Sequence, residues 1–244
     1  MDNNLEMKAF AERVRTLIGY ELSKDQLSAL KLFEEELLAW NEHISLTAIR
    51  DSEGVRIKHF LDSLTVLLAW DRQAPPDRLI DVGTGAGFPG LVLKLIWPNS
   101  HVTLVESVHK KADFCRHMVD SLGLEGVTVL TQRAEVVGQD PAHRHTYDLA
   151  VARAVARMPI LMEYLLPLIH RNGIAMAMKG ETAHAETHDA QNAINLFGGK
   201  LHKLINIKLP GVVEERFIVV IHKFARTPEE YPRRVGVPAK TPVE

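Results

Sequence analysis

The sequence predicts an α/β fold: a doubly wound, mostly parallel sheet whose last strand runs antiparallel, preceded by an N-terminal helical cap. Three observations carry this. Beyond Pro75-Pro76, short and nearly continuous apolar runs alternate with helical stretches, the pattern of strands buried on both faces of a parallel sheet. The last two runs, Leu201 to Leu209 and Arg216 to Phe224, are joined through Pro210-Gly211, a turn too short for a parallel crossover. Before the prolines, apolar residues recur at helical spacing instead.

The elements follow in order. Ser23, followed three residues on by Gln26, is a capping-box start, and Leu27, Leu30, Phe33 (or Glu34), Leu37 and Leu38 continue at helical spacing. Glu34, Glu35 and Glu36 are expected on its wet face. A second helical pattern covers Gly54 to Trp70 through Val55, Phe60, Leu61, Leu64, Leu67 and Leu68, and Ala74-Pro75-Pro76-Asp77 then breaks the chain. Three units are expected: a helical cap over 1–74, a main domain over 75–224 and a basic C-terminal arm over 225–244. Strands are predicted near Leu79 to Val82, His101 to Glu106, Val127 to Thr131, Asp148 to Ala152 and Ile174 to Met178. Helices are predicted near Pro89 to Trp97, Lys110 to Leu122, Pro159 to His170 and Ala183 to Phe197.

With 244 residues, 46% of them apolar and 25% charged, the composition is globular, and such a length buries roughly 70 to 75% of its extendable surface without disulfides or a metal. The single Cys115 excludes an intramolecular disulfide and a Cys-rich zinc site. Met1-Asp2-Asn3-Asn4 lacks the profile of a secretory signal, so a reducing cytoplasm is expected. No apolar run approaches a membrane span, which needs roughly 18 residues. Net charge is −2, but residues 200 to 244 hold nine Lys/Arg against five Asp/Glu. Such a basic end is either a solubility device or a nucleic-acid contact.

The most informative stretch is Asp81-Val82-Gly83-Thr84-Gly85-Ala86-Gly87-Phe88-Pro89-Gly90, where the first strand gives way to a helix. Its glycines allow a sharp turn and close approach to a ligand, and Pro89 suits a first helical position. Glycines at 83, 85 and 87 depart from the dinucleotide spacing, and a helix opening on Phe88-Pro89 with Asp81 upstream suits a ligand without a phosphate. A purely structural tight turn reads the same way. Glu106 ends the second strand 23 residues after Gly83; it either accepts both hydroxyls of a ribose or serves Ser107 as a helix-capping neighbour. Arg133-Ala134-Glu135 follows the third strand, where it would edge an adenine, and Arg153 leaves the sheet at the same carboxyl edge. Together these point to S-adenosylmethionine.

The sheet and the Asp-Val-Gly-Thr-Gly-Ala-Gly loop resemble class I methyltransferases. The finer pattern resembles the glucose-inhibited division protein B family, and it covers nearly the whole chain. It includes Leu46-Thr47, His59-Phe60-Leu61-Asp62-Ser63-Leu64, the Phe88-Pro89-Gly90 ending, Ser107 to Phe114 with Lys110-Lys111, and Arg133-Ala134-Glu135. Ala152-Arg153-Ala154-Val155-Ala156, Lys179-Gly180, Thr227-Pro228, Tyr231-Pro232-Arg233-Arg234, Gly236 and Pro238 complete it. The resemblance implies an S-adenosylmethionine-dependent methylation of guanine N7 in small-subunit (16S) ribosomal RNA, free or in an assembling particle. It also implies that Gly83 and Phe88 contact the cofactor, that Ala134 and Glu135 line its adenosine end, and that Arg153 closes the pocket.

The residues narrow the chemistry further. Amino-group methylation of adenine or cytosine usually employs an Asp/Asn-Pro-Pro-aromatic loop after the fourth strand, where this chain reads Ala152-Arg153-Ala154-Val155. Attack at cytosine C5 needs a thiolate, and Cys115 lies on the wrong element. Guanine N7 bears a lone pair and no proton, so no catalytic base is nominated. Arg133 and Arg153 either read guanine O6, hold phosphate or serve as salt-bridge partners. Lys179 is a candidate phosphate contact or a solvated turn, Lys110-Lys111 face water or RNA, Asp62-Ser63 border the transfer site or cap a turn, and Arg233 and Arg234 are candidate RNA contacts. His184 and His188, at i and i+4, lack a third ligand, so a solvated face is expected and no metal. Two other readings remain open: a methyltransferase of a small molecule or protein, and a module that only binds a nucleoside.

Overall fold

The computed structural model describes residues 3–243; Met1, Asp2 and Glu244, which enter the leader reading and the charge counts, lie outside it. Seven strands form one sheet in the order β3-β2-β1-β4-β5-β7-β6. They are β1 (Arg78–Val82), β2 (His101–Val105), β3 (Val127–Leu130), β4 (Tyr147–Arg153), β5 (Ile169–Lys179), β6 (Gly199–Ile207) and β7 (Arg216–Lys223). All pairings from β3 to β5 are parallel, and β7 runs antiparallel to both neighbours, as the short Pro210-Gly211 connection requires.

The cap contains α1 (Asn3–Ile18), α2 (Lys24–Asn41) and a helical run built from α3 (Ser52–Val55), a π-helical turn (Arg56–Leu61), α4 (Asp62–Leu64) and α5 (Val66–Ala69). The capping box at Ser23 and Gln26 is present in both directions. The cap has no core of its own: Phe10, Phe33 and Phe60 share one apolar cluster with Leu79, Leu104, Val151 and Val220 of the sheet. α6 (Gly90–Ile96) and α7 (His109–Ser121) cover the same face. Alternate residues Ile80, Val82, Ala150 and Ala152 point the other way, into a second cluster. That face carries α8 (Ala134–Gln139), α9 (Met158–Leu165), α10 (Ala183–Asp189) and α11 (Gln191–Leu196).

Several expectations need correction. Glu34 is not on a wet face: it is 2% exposed and its carboxylate accepts both Arg56 Nε–H (2.6 Å) and Arg56 Nη2–H (2.8 Å). α1 opens the expected helical cap, as a helix that the reading of that stretch does not single out. α9 stops at Leu165 rather than His170, because Pro167 follows its last turn and β5 begins at Ile169. The helix expected over 183–197 is broken at Ala190. Pro89 caps α6 instead of opening it.

The C-terminal stretch packs back on the sheet-covering helices. Arg144 donates to the carbonyl oxygens of Gly138, Thr227, Pro228 and Tyr231, and Pro232 packs so closely on Gly138 that a Cβ there would lie 2.7 Å from its ring. The segment ends in α12 (Val237–Lys240). Lys223, fully buried at the end of β7, donates to the carbonyls of Leu166 and Phe197 just past α9 and α11, and to Thr227 Oγ1. Among the described residues no helix is long and apolar enough to cross a membrane.

Candidate active site

The glycine loop leaves β1 at the carboxyl edge of the sheet. Gly83, Gly85 and Gly87 all have left-handed φ (70°, 60° and 91°), which is why the loop is built of glycine. Gly83 N–H and Thr84 N–H both donate to Val105 O, seating the loop over the end of β2. Asp81 straps it from below: its Oδ2 accepts Thr84 Oγ1–H at 2.6 Å and Gly90 N–H at 2.8 Å. Its Oδ1 is buried without a hydrogen-bond partner, and burial pushes the carboxyl up to about 6. A Cβ on Gly83 would strike Val155 at 2.5 Å, whereas one on Gly85 would meet nothing within 4 Å. Gly83 is therefore closed in by the β4 exit, and Gly85 opens onto free space.

Glu106 sits at the end of β2 as expected, 7% exposed. Its Oε2 accepts Gly85 N–H (3.0 Å) and its Oε1 accepts Val108 N–H (2.7 Å), so it anchors both the loop and the turn into α7. Each oxygen keeps a second lone pair for a hydroxyl donor. A cavity of about 80 Å³ lies beside it, lined by Gly83, Glu106, Arg133, Ala134, Val155 and Tyr164. Cys115 is buried with its thiol pushed up by desolvation, so it supplies no thiolate.

Arg153, the last residue of β4, is the junction of the site. It donates to Asp62 Oδ2 (2.9 Å), Lys58 O (3.0 Å) and His59 Nδ1 (3.1 Å), and its guanidinium lies 5.2 Å from the Phe88 ring centroid. Because an arginine only donates, His59 Nδ1 must accept; the ring proton is on Nε2, which donates to Thr47 Oγ1 at 2.8 Å. Burial, and then the charge of Arg153, lower the His59 pKa to about 3, so this imidazole is neutral. Ala154 follows with φ 55°, a left-handed turn at a non-glycine residue that ends the strand abruptly. Beyond that turn is a second cavity of about 140 Å³, lined by Asp62, Arg153, Lys179, Glu186, Arg216 and Phe217. The β4 exit is the wall between the two cavities.

The sequence-predicted residues divide accordingly. Glu106, Arg133, Ala134, Glu135 and Gly83 meet around the first cavity, and Arg153 and Lys179 around the second. Glu135 also accepts Gly236 N–H at 2.9 Å, which ties the chain end to the site. The Phe88 ring is stacked between His59 (4.6 Å) and Phe33 (5.0 Å) and is 3% exposed, so any contact it makes with a ligand is through its main chain. Lys179 is not a free phosphate contact: its ammonium is paired with Glu186 at 2.6 Å and donates to Ala156 O. Arg233 is likewise taken, by buried Glu163, whereas Arg133 and Arg234 are exposed. His184 packs edge-on against Phe217, and His188 lies 3.8 Å from Asp189. Sequence reasoning missed Arg216, whose Nε is buried 3.9 Å from Asp62 Oδ1, and Tyr164. Neither carries a local signal, since each reaches the site only through the order of the strands.

Comparison with known proteins is consistent over most of the chain. A family model described as rRNA small subunit methyltransferase G matches residues 26–214. Proteins named ribosomal RNA small subunit methyltransferase G are 48% identical over 231 residues in Roseiflexus castenholzii (95% of this chain, 97% of the relative) and 44% identical over 225 residues in an Exiguobacterium species (92% and 94%). Among solved structures, TrmN from Thermus thermophilus superposes with a TM-score of 0.53 at 19% identity, over 67% of this chain and about half (48%) of that one. A SAM-dependent O-methyltransferase from Thermotoga maritima gives 0.51 at 16% identity, over 69% and 66%. These two likenesses are of fold, that of the class I methyltransferases, and the sequence matches carry the rest: the chain belongs to the rRNA small subunit methyltransferase G family.

Proposed function

We propose that the protein transfers the methyl group of S-adenosylmethionine to N7 of a guanine in small-subunit ribosomal RNA, working in the cytoplasm on free RNA or an assembling particle. The observation that carries this reading is the pair of cavities at one sheet edge, with the Asp62, Glu186 and His59 side chains around the β4 exit already engaged. Asp62 is ion-paired to Arg153, Glu186 to Lys179, and His59 is neutral with Nδ1 already accepting. A substrate atom that must lose a proton finds Asp62, Glu186 and His59 occupied there, and N7 has no proton to lose.

The residues present fit the cofactor. The open space at Gly85 admits it, Glu106 retains lone pairs for ribose hydroxyls, and the first cavity beside Arg133 and Ala134 suits an adenine. The unpartnered Asp81 Oδ1 suits the amino group. When bound, S-adenosylmethionine supplies a methyl on a sulfonium centre. Bound there, it would offer that methyl to an acceptor lone pair, which needs no proton removed. The protein's part is placement: Arg153, held by Asp62, His59 and Lys58 O, orients the base. Such positioning is worth up to roughly 7 to 11 kcal/mol. Exposed Arg133 and Arg234, with Lys110 and Lys111, are proposed to hold the RNA backbone.

The test is transfer from labelled cofactor to small-subunit RNA and to assembled subunits, followed by digestion to nucleosides. The label should appear in 7-methylguanosine. Label in an exocyclic amine or a ribose would overturn the N7 assignment, and label in protein the RNA assignment.

A further inference from the structure

We propose that Asp71, His202 and His222 form a binding site for one divalent transition-metal ion of the zinc class, clamping the cap–sheet linker to the outer hairpin. They offer one donor atom each, all within 4.8 Å of one another, and are the one such group found among the described residues. The three come from separate stretches. Asp71 lies in the linker just after α5, while His202 and His222 lie on the adjacent strands β6 and β7. No spacing rule joins residues so far apart, so the sequence gives no sign of the group, and the expectation of no metal rests on His184 and His188 alone.

Two local features make this more than proximity. The β6–β7 ladder shifts register between Leu201 and Lys203, so His202 is the extra residue of a bulge, a device that re-aims a side chain. Its ring stacks on His222 with centroids 4.0 Å apart. The second feature is that His222 Nε2 is buried with no hydrogen-bond partner. An orphaned polar atom calls for a partner, and a metal ion is one to which an imidazole lone pair donates. Zinc bound by three such donors plus water, at bonds of about 2.1 Å, wants them about 3.4 Å apart. The three side chains reach that by closing at most about 1.4 Å and tilting the two stacked rings so that their in-plane lone pairs converge, and the exposure of Asp71 and His202 leaves an entry path.

The charges around the group set the competition. Lys203 Nζ lies 3.3 Å from Asp71 Oδ2 and occupies the cation's place; it is one-third exposed and free to swing into solvent. Arg72 is held elsewhere, donating to Asn172 O and lying over the Trp70 ring. The site is remote from methyl transfer. His222 pairs with Ile174 at the amino edge, whereas Lys179, beside the second cavity, pairs with Phe217 at the other end of the same two strands. Its role is structural.

The experiment is titration of chelator-treated full-length protein with zinc by calorimetry, and with cobalt by visible absorption, alongside melting temperature. One ion per chain should bind and raise the melting temperature with metal concentration. Asp71→Asn and His222→Ala should each weaken binding at least tenfold, and Lys203→Met should tighten it. The last variant separates this site from adventitious binding, because removing Lys203 strengthens only a cation site close to it. If His222→Ala does not fold, the surface variants Asp71→Asn and Lys203→Met carry the test alone. No binding at 100 µM zinc, or binding indifferent to Asp71 and Lys203, overturns the proposal.

Discussion

Arg233 closes on Glu163 through three donors: its backbone N–H and Nε–H reach Oε1 at 2.8 and 2.9 Å, and Nη2–H reaches Oε2 at 2.6 Å. Glu163 projects from the middle of α9 with a side chain only 1% exposed. The chain's C-terminal stretch is therefore fastened to the sheet-covering helices by an ion pair, and its two adjacent arginines have different work. Arg233→Met leaves a buried carboxylate without its counter-charge, a loss of about 3 kcal/mol. The melting temperature should fall by about 6 to 12 °C with the salt dependence of RNA binding unchanged.

Arg234 is the exposed member. Arg234→Gln should leave the melting temperature alone and reduce the slope of log affinity against log salt by about 0.7, the signature of one lost single-strand phosphate contact. RNA affinity measured at several salt concentrations decides it, and an unchanged slope removes Arg234 from the RNA-binding surface.

Gly85→Val places a branched side chain in the open space of the loop at a residue with φ 60°. The backbone strain costs about 1 to 2 kcal/mol, a modest thermal shift, while S-adenosylmethionine affinity should drop by well over tenfold. Gly83→Ala differs in kind, since its Cβ meets Val155 and forces the loop off the β4 exit. Calorimetry on the Gly85 variant showing wild-type affinity would mean the ligand lies elsewhere.

The pH dependence combines two opposed groups. His59 stays neutral in the fold down to about 3, whereas in the unfolded chain it takes up a proton near 6.5. Between these values the unfolded state binds more protons, so stability present above 6.5 is lost as pH falls, by up to about 1.4 kcal/mol per unit. Asp81 has the reverse sign. Its folded value of about 6 exceeds the ordinary 3.8, so its buried carboxylate destabilises at neutral pH and is relieved as pH drops through 6. Urea unfolding from pH 7 to 4 should show a shallower acid loss in His59→Gln and a steeper one in Asp81→Asn.

Cofactor affinity should follow Asp81 and not His59. If Asp81 Oδ1 receives the amino group, S-adenosylmethionine binding is flat above about pH 6 and weakens below it. The single-turnover rate at saturating cofactor and RNA should stay level from pH 6 to 8, since N7 needs no base. A rate falling tenfold per unit in that window would point to a titrating base and an amino or hydroxyl acceptor.

What was legible in the sequence was local. The strands that build the cleft, the glycine loop with its φ > 0 positions and the acid ending β2 are patterns within a few residues, and all stand where expected. Partnerships across the chain were not legible. Glu34 reads as one of three surface acids until Arg56 arrives from 22 residues away. Arg233 reads as half of a basic pair until α9 brings Glu163 from 70 residues away. Lys179 reads as a strand-end cation until α10 supplies Glu186. In each case the side chain's chemistry was plain and its partner was chosen by the topology.

Arg153 offers the sharpest separation of binding from transfer. Its guanidinium spends its donors on three acceptors in different directions, Asp62 Oδ2, Lys58 O and His59 Nδ1, over the face of Phe88. A lysine at this position keeps the charge next to Asp62 but has no planar fork, so it cannot hold His59 and Lys58 O at once. Arg153→Lys should therefore preserve the fold and leave S-adenosylmethionine affinity within about threefold, because the glycine loop, Asp81 and Glu106 are untouched. The transfer rate should fall about 100-fold, the effect of an ångström of misplacement on a reaction driven by alignment. Single-turnover kinetics with saturating RNA and cofactor, set beside calorimetric cofactor binding, separate the two quantities. A variant that loses cofactor affinity in parallel with rate would move Arg153 from positioning the base to holding the cofactor, and one that transfers at the wild-type rate would take it out of the reaction altogether.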